Sequence, residues 1–176
     1  VLIRRKLVQP LRHDRIPNLK HIDDRFRNPP FDRGNQYTAP YQWGTVGIYL
    51  RKKAGETLDE SWALFFDPAK QPGPFVLIDS MRDAMTSALK YLGHGVNTTD
   101  KQALIAARDL LIEAKGRSLG FEVPIGGKNR VLSGSAKMAV VYNGDAARGI
   151  EEDGETVYVV PKEGSQIWLD NLAVPA

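Results

Sequence analysis

Between residues 44 and 50 the apolar side chains fall on Val46, Ile48 and Leu50, a period of two that predicts a strand. Glu60 to Phe66 reads as a short apolar helix closed by Asp67-Pro68, and the Pro72-Gly73-Pro74 breaker introduces Phe75-Val-Leu-Ile-Asp79, a continuous apolar run expected of a buried strand. A helix is predicted directly after it. Ser80 and Asp83 have capping-box spacing, Met81, Met85, Ala88, Leu89 and Leu92 form an apolar stripe, and Gly93 supplies a stop. Thr99 and Gln102 repeat the capping-box spacing before a second helix with its stripe on Leu104, Ala107, Leu111 and Ala114, ending near Lys115-Gly116. Lys137 to Tyr142 is another buried-strand run, Asn143-Gly144 reads as a turn, Asp145 to Glu152 as a short helix, and Thr156 to Val160 as a returning strand. Ile167 to Val174 is again extended. Strands alternating with helical segments imply an α/β fold with a largely parallel sheet.

Residues 1–40 break this pattern. Pro10, Pro17, Pro29 and Pro30 exclude a long helix there, so the stretch reads as an extended connector. The apolar fraction, 42% of 176 residues, suffices for one globular domain or one lobe of a larger protein. No apolar run approaches the roughly 20 residues of a membrane helix. The net charge of +3 is an N-terminal feature, because residues 1–35 hold nine Lys/Arg against four Asp/Glu and the remainder is slightly acidic. Those basic residues sit among prolines and aspartates, which favours a solvated surface over a nucleic-acid partner.

The absence of cysteine excludes disulfides, thiolate nucleophiles and cysteine-based metal sites, and the three histidines, His13, His21 and His94, lack metal-ligand spacing. Gly126-Gly127-Lys128 lacks the remaining positions of a phosphate-binding loop, and there is no Gly-x-Ser-x-Gly. No cofactor is implied. Ligands of open α/β sheets bind beyond the carboxyl ends of strands, which singles out Asp79, Ser80 and Asp83, Tyr142 and Asp145, and Trp168 and Asp170. Carboxylates recur beside aromatic rings, an arrangement suited to an ammonium group: the ring face attracts the cation and the carboxylate supplies a charge-assisted hydrogen bond. An organic amine is the ligand so implied. Each residue also has a plainer role: Asp83 as the capping partner of Ser80, Asp145 as a turn or cap residue, Trp168 as core, Trp43 in packing the connector, and Trp62 as core. Asp79 and Asp83 as an enzymatic acid–base pair is a third reading with nothing beside it to support a reaction.

Several stretches, in order along the chain, carry a more specific signal. They are Ile16-Pro-Asn-Leu-Lys, Asn28-Pro-Pro-Phe, Tyr41-Gln-Trp-Gly-Thr-Val-Gly-Ile48, Ala88-Leu-Lys-Tyr-Leu-Gly93 with Asn97-Thr-Thr-Asp100, Val141-Tyr-Asn-Gly-Asp145, and Val160-Pro-Lys-Glu-Gly164 with Trp168-Leu-Asp170. Together they resemble the polyamine (spermidine/putrescine) binding proteins of bacterial ABC importers.

That resemblance implies a periplasmic-binding-protein-like (type II) lobe with a mixed, mostly parallel sheet flanked by helices. It divides the chain into a connector (1–40), a ligand-binding lobe (41–166) and a return hinge (167–176). It implies a non-catalytic, extracytoplasmic protein that captures a polyamine or related amine for importer permease subunits, of which this chain is about half, without the signal peptide. Asp83, Asp145 and Asp170 are expected to meet ammonium groups, Tyr142 and Trp168 the methylenes. Where the family commonly has Asp-Asp-x-Arg-Glu, this chain has Asp79-Ser80-Met81-Arg82-Asp83, so Ser80 replaces an acid and Asp83 is shortened. A surface left uncovered by the other lobe is expected to favour a homodimer. The competing expectation is an isolated structural lobe that binds no ligand measurably.

Overall fold

The computed structural model describes residues 1–53 and 55–176. Two units emerge from it: residues 44–167, and residues 1–43 together with 168–176.

The larger unit is built on a mixed sheet of order β3-β2-β4-β1-β5. Its strands are β1 (Thr38–Arg51), β2 (Phe75–Ile78), β3 (Phe121–Glu122), β4 (Met138–Tyr142) and β5 (Thr156–Val159). β2 lies parallel to both β3 and β4, whereas β1 runs antiparallel to β4 and β5, so the parallel portion is confined to one side of the mixed sheet. All four residues of β2 are buried, as an uninterrupted apolar run between parallel neighbours requires. The helices are α1 (Ala63–Phe66), α2 (Met81–Tyr91), α3 (Lys101–Arg117), α4 (Pro124–Leu132) and α5 (Asn143–Glu152). One part of the core joins Tyr49, Val76, Val131, Ala139, Val141 and Ala146 across sheet and helices.

Trp62 is fully buried, its indole N–H donating to the Gly164 carbonyl at 2.9 Å. The Pro-Lys-Glu-Gly segment explains itself here. Glu163 accepts from the Ser61 hydroxyl and from the Trp62 amide, supplying acceptors at the start of α1. Close packing also fixes Gly127 in α4, where an added Cβ would lie 3.1 Å from the Ala139 Cβ on β4.

Several local expectations are corrected. Asp100, not Thr99, caps α3, accepting from the Gln102 amide at 2.9 Å, and the helix continues to Arg117. The stripe of α2 turns away from Met81, which is 81% exposed; Ala84, Ala88 and Leu89 are the buried apolar positions. Asn143-Gly144 is the first turn of α5 and not a separate turn, because the Asn143 side chain accepts from the Thr45 amide at 3.0 Å and ties the helix start to β1. β3 and α4 add to the elements that the sequence pattern predicts. The helix expected from Glu60 is only the four residues of α1.

In the smaller unit the chain passes through three 3-10 turns, His13–Arg15, Pro17–His21 and Arg33–Asn35. Buried Asp32 organises the last of them, accepting from the amides of Gln36, Tyr37 and Thr38 and from the Thr38 hydroxyl. Strand β6 (Ile167–Ala173) pairs with β1. Trp43 packs on Phe26 with ring centroids 5.2 Å apart, beneath the Arg25 guanidinium.

Candidate functional site

The parallel pairing of β2 and β4 brings their carboxyl ends to the same edge, where α2 and α5 begin. Asp83 lies in the first turn of α2 and Tyr142 immediately precedes α5. The Tyr142 hydroxyl donates to Asp83 Oδ2 at 2.7 Å. Gln166 Nε2 donates to the other oxygen, Oδ1, and the Gln166 amide is itself fixed by the Thr86 hydroxyl, which donates to Oε1 at 3.0 Å. Asp83 is only 5% exposed.

These contacts settle how Asp83 is used within the fold. Ser80 occupies the N-cap position of α2, yet its side chain makes no capping bond, so the capping box implied by the spacing does not form. Asp83 directs both oxygens to Tyr142 and Gln166 instead. Burial, then the hydrogen bond to Asp83 and the charges of Asp83 and Asp79, push the Tyr142 phenol well above its ordinary range, with the Ser80 hydroxyl opposing. Tyr142 is therefore a neutral donor at physiological pH.

The Asp83 carboxyl group is thus buried against the neutral donors of Tyr142 and Gln166. Among the described residues, no lysine or arginine forms an ion pair with Asp83. The dipole of α2 favours an anion in its first turn, and two hydrogen bonds replace part of the lost hydration. A carboxylate has further lone-pair directions, so the group can still accept from a cation.

Of the other residues singled out, Asp145 is half-buried in the first turn of α5, and Asp79 is exposed at the end of β2. Trp168, half-buried, and Asp170, exposed, lie on β6 and belong to the smaller unit. Sequence reasoning missed Thr86 and Gln166, whose distance along the chain from each other left no local pattern.

The bacterial extracellular solute-binding protein family model matches residues 1–176. The chain belongs to that family. Its members bind solutes rather than catalyse reactions. The Escherichia coli spermidine/putrescine-binding periplasmic protein is 30% identical over 174 residues, covering 97% of this chain and 49% of that one. Among solved structures, a Listeria monocytogenes protein described as a spermidine/putrescine ABC transporter superposes with a TM-score of 0.88 at 35% identity, over 99% of this chain and 53% of the other. The spermidine/putrescine ABC transporter substrate-binding protein of Streptococcus pneumoniae gives 0.82 at 28% identity, over 99% and 53%. This chain thus spans about half the length of the relatives it matches. The α/β, periplasmic-binding-protein-like fold read from the sequence agrees with these likenesses.

Proposed function

We propose that the chain is an amine-binding lobe of an extracytoplasmic receptor that captures a polyamine or related organic amine for the permease subunits of an ABC importer. The observation that carries this reading is the buried Asp83 carboxylate, held by Tyr142 and Gln166 without a cation from the described residues. A fold that keeps such a charge under cover bears a desolvation cost that an ammonium ligand offsets. The names of the relatives support the ligand class. In this reading Asp83, Asp145 and Asp170 meet ammonium groups, Tyr142 and Trp168 line the methylenes, and the Ser80 hydroxyl replaces an acidic contact. Each methylene removed from water contributes about 0.8 kcal/mol.

Titration of the isotope-labelled chain with putrescine and spermidine, followed by amide NMR, tests this. Saturable shifts centred on residues 80–86 and 142–145 are expected, and their absence at high millimolar amine overturns it. We further propose that the chain forms a homodimer, which light scattering checks; a monomer at high concentration removes that proposal.

A further inference from the structure

We infer that Gln166 is a positioning residue for the ammonium contact: it holds Asp83 Oδ1 while leaving the negative charge available to the ligand. The inference rests on the amine-binding reading of the same site. Gln166 lies just ahead of β6 and reaches across to α2, where its side-chain amide meets two partners of opposite character. Thr86, 3% exposed, donates its hydroxyl to Oε1. An amide presents an acceptor on one end and donors on the other, so satisfying Oε1 with a hydroxyl turns Nε2 toward the carboxylate. The amide orientation is thereby determined by the protein.

The choice of an amide has a chemical consequence. A lysine or arginine at this place would neutralise Asp83 and compete with any cationic ligand, and a glutamate would repel it. A hydrocarbon side chain would leave the buried Oδ1 one donor short. Glutamine hydrogen-bonds the carboxylate, adds no charge, and fixes the oxygens so that Oδ2 remains with Tyr142. Thr86, Gln166, Asp83 and Tyr142 then form one chain of hydrogen bonds whose only charged member is Asp83, and each link polarises the next.

Four variants of the full chain, read by putrescine titration with NMR detection, test this. Gln166→Ala is expected to weaken binding by roughly 10- to 100-fold, the range for a hydrogen bond to a charged group. Thr86→Val removes only a neutral bond and should cost roughly 2- to 10-fold. The double variant should bind no more weakly than Gln166→Ala alone, because both act through the same amide. Gln166→Lys should abolish binding while the thermal melt stays at or above that of the wild type, since the tethered ammonium takes the ligand's place. That pairing of lost affinity with kept stability separates positioning from a structural role. Unchanged affinity in Gln166→Ala, or retained binding in Gln166→Lys, overturns the inference. The side-chain amide signal of Gln166 should also move in Asp83→Asn and hold still in Asp79→Asn. If the wild type binds no amine, the amine reading falls and takes the ligand role of Gln166 with it, whereas a moving amide signal with unchanged Gln166→Ala affinity removes this inference alone.

Discussion

Tyr142 at the end of β4 donates its hydroxyl to Asp83 in α2 at 2.7 Å, joining two elements 59 positions apart in the chain. The bond serves two purposes. It satisfies one oxygen of a buried carboxylate, and it holds an aromatic ring beside a negative charge, the combination that attracts an alkylammonium. Tyr142→Phe keeps the ring and removes the donor, so it is expected to cost about 1.5 to 3 kcal/mol of folding stability, the range for a hydrogen bond to a charged group. Urea denaturation measures it. Asp83→Asn removes the charge and keeps an acceptor for only one of Tyr142 and Gln166, and should lower putrescine affinity about tenfold or more. Equal affinity in Asp83→Asn would remove the carboxylate from the site.

On β6, the Trp168 and Asp170 contacts are expected to be mutationally separable. Asp170→Asn should weaken diamine binding by about 1.5 to 3 kcal/mol in a protein that carries both lobes, and Trp168→Ala by a comparable amount through lost ring contact. Calorimetry with putrescine decides each. Normal binding by Trp168→Ala would leave that ring a packing residue.

Gly149 lies where α5 crosses the fully buried Tyr49 ring. A methyl group there would stand 2.6 Å from Tyr49 Cζ and 3.1 Å from the Lys128 side chain. The Tyr49 hydroxyl cannot readily yield, because it donates to Thr156 at 2.8 Å in the buried interior. Gly149→Ala is therefore expected to destabilise the fold by about 1 to 3 kcal/mol despite alanine's better helix propensity, as overpacking does. A thermal melt at or above that of the wild type would contradict the packing described.

Acid should weaken the fold in a defined window. Glu56, held below its ordinary value chiefly by the hydrogen bond from Lys137, Asp59 likewise by Lys162 and Lys70, and Asp153 by the Glu155 amide and Arg51, are all depressed in the folded chain. A carboxylate depressed on folding stabilises fully above its unfolded value and loses that contribution as pH falls through the folded value. With ordinary values of 4.5 and 3.8, stability should be level above about pH 5 and decline progressively below about 4.5. These pairs are solvent-screened, so high salt should flatten the decline. Urea melts across pH 3 to 7 at two salt concentrations test both statements.

Local pattern determined the elements that local physics controls. β2 was legible because four consecutive apolar residues behind a proline–glycine breaker suit a strand buried on both faces, and the stripe on Ala107, Leu111 and Ala114 located α3. The collinear segments point to the solute-binding family because they span the chain in order. What the sequence left undecided were competitions settled by distant partners. Ser80 and Asp83 have the spacing of a capping box, yet Tyr142 and Gln166, arriving from 59 and 83 positions away, take both oxygens of Asp83. Asn143-Gly144 has the composition of a turn, yet Thr45, 98 positions back, captures the Asn143 side chain and the chain continues as helix. Met81 has the hydrophobicity of a core residue and the angular position of an exposed one. Spacing along a chain specifies which groups can meet within one element. Which of several satisfied arrangements a polar side chain adopts depends on donors that only the tertiary fold brings within 3 Å, and at Asp83 that selection made the difference between a helix cap and a buried charge.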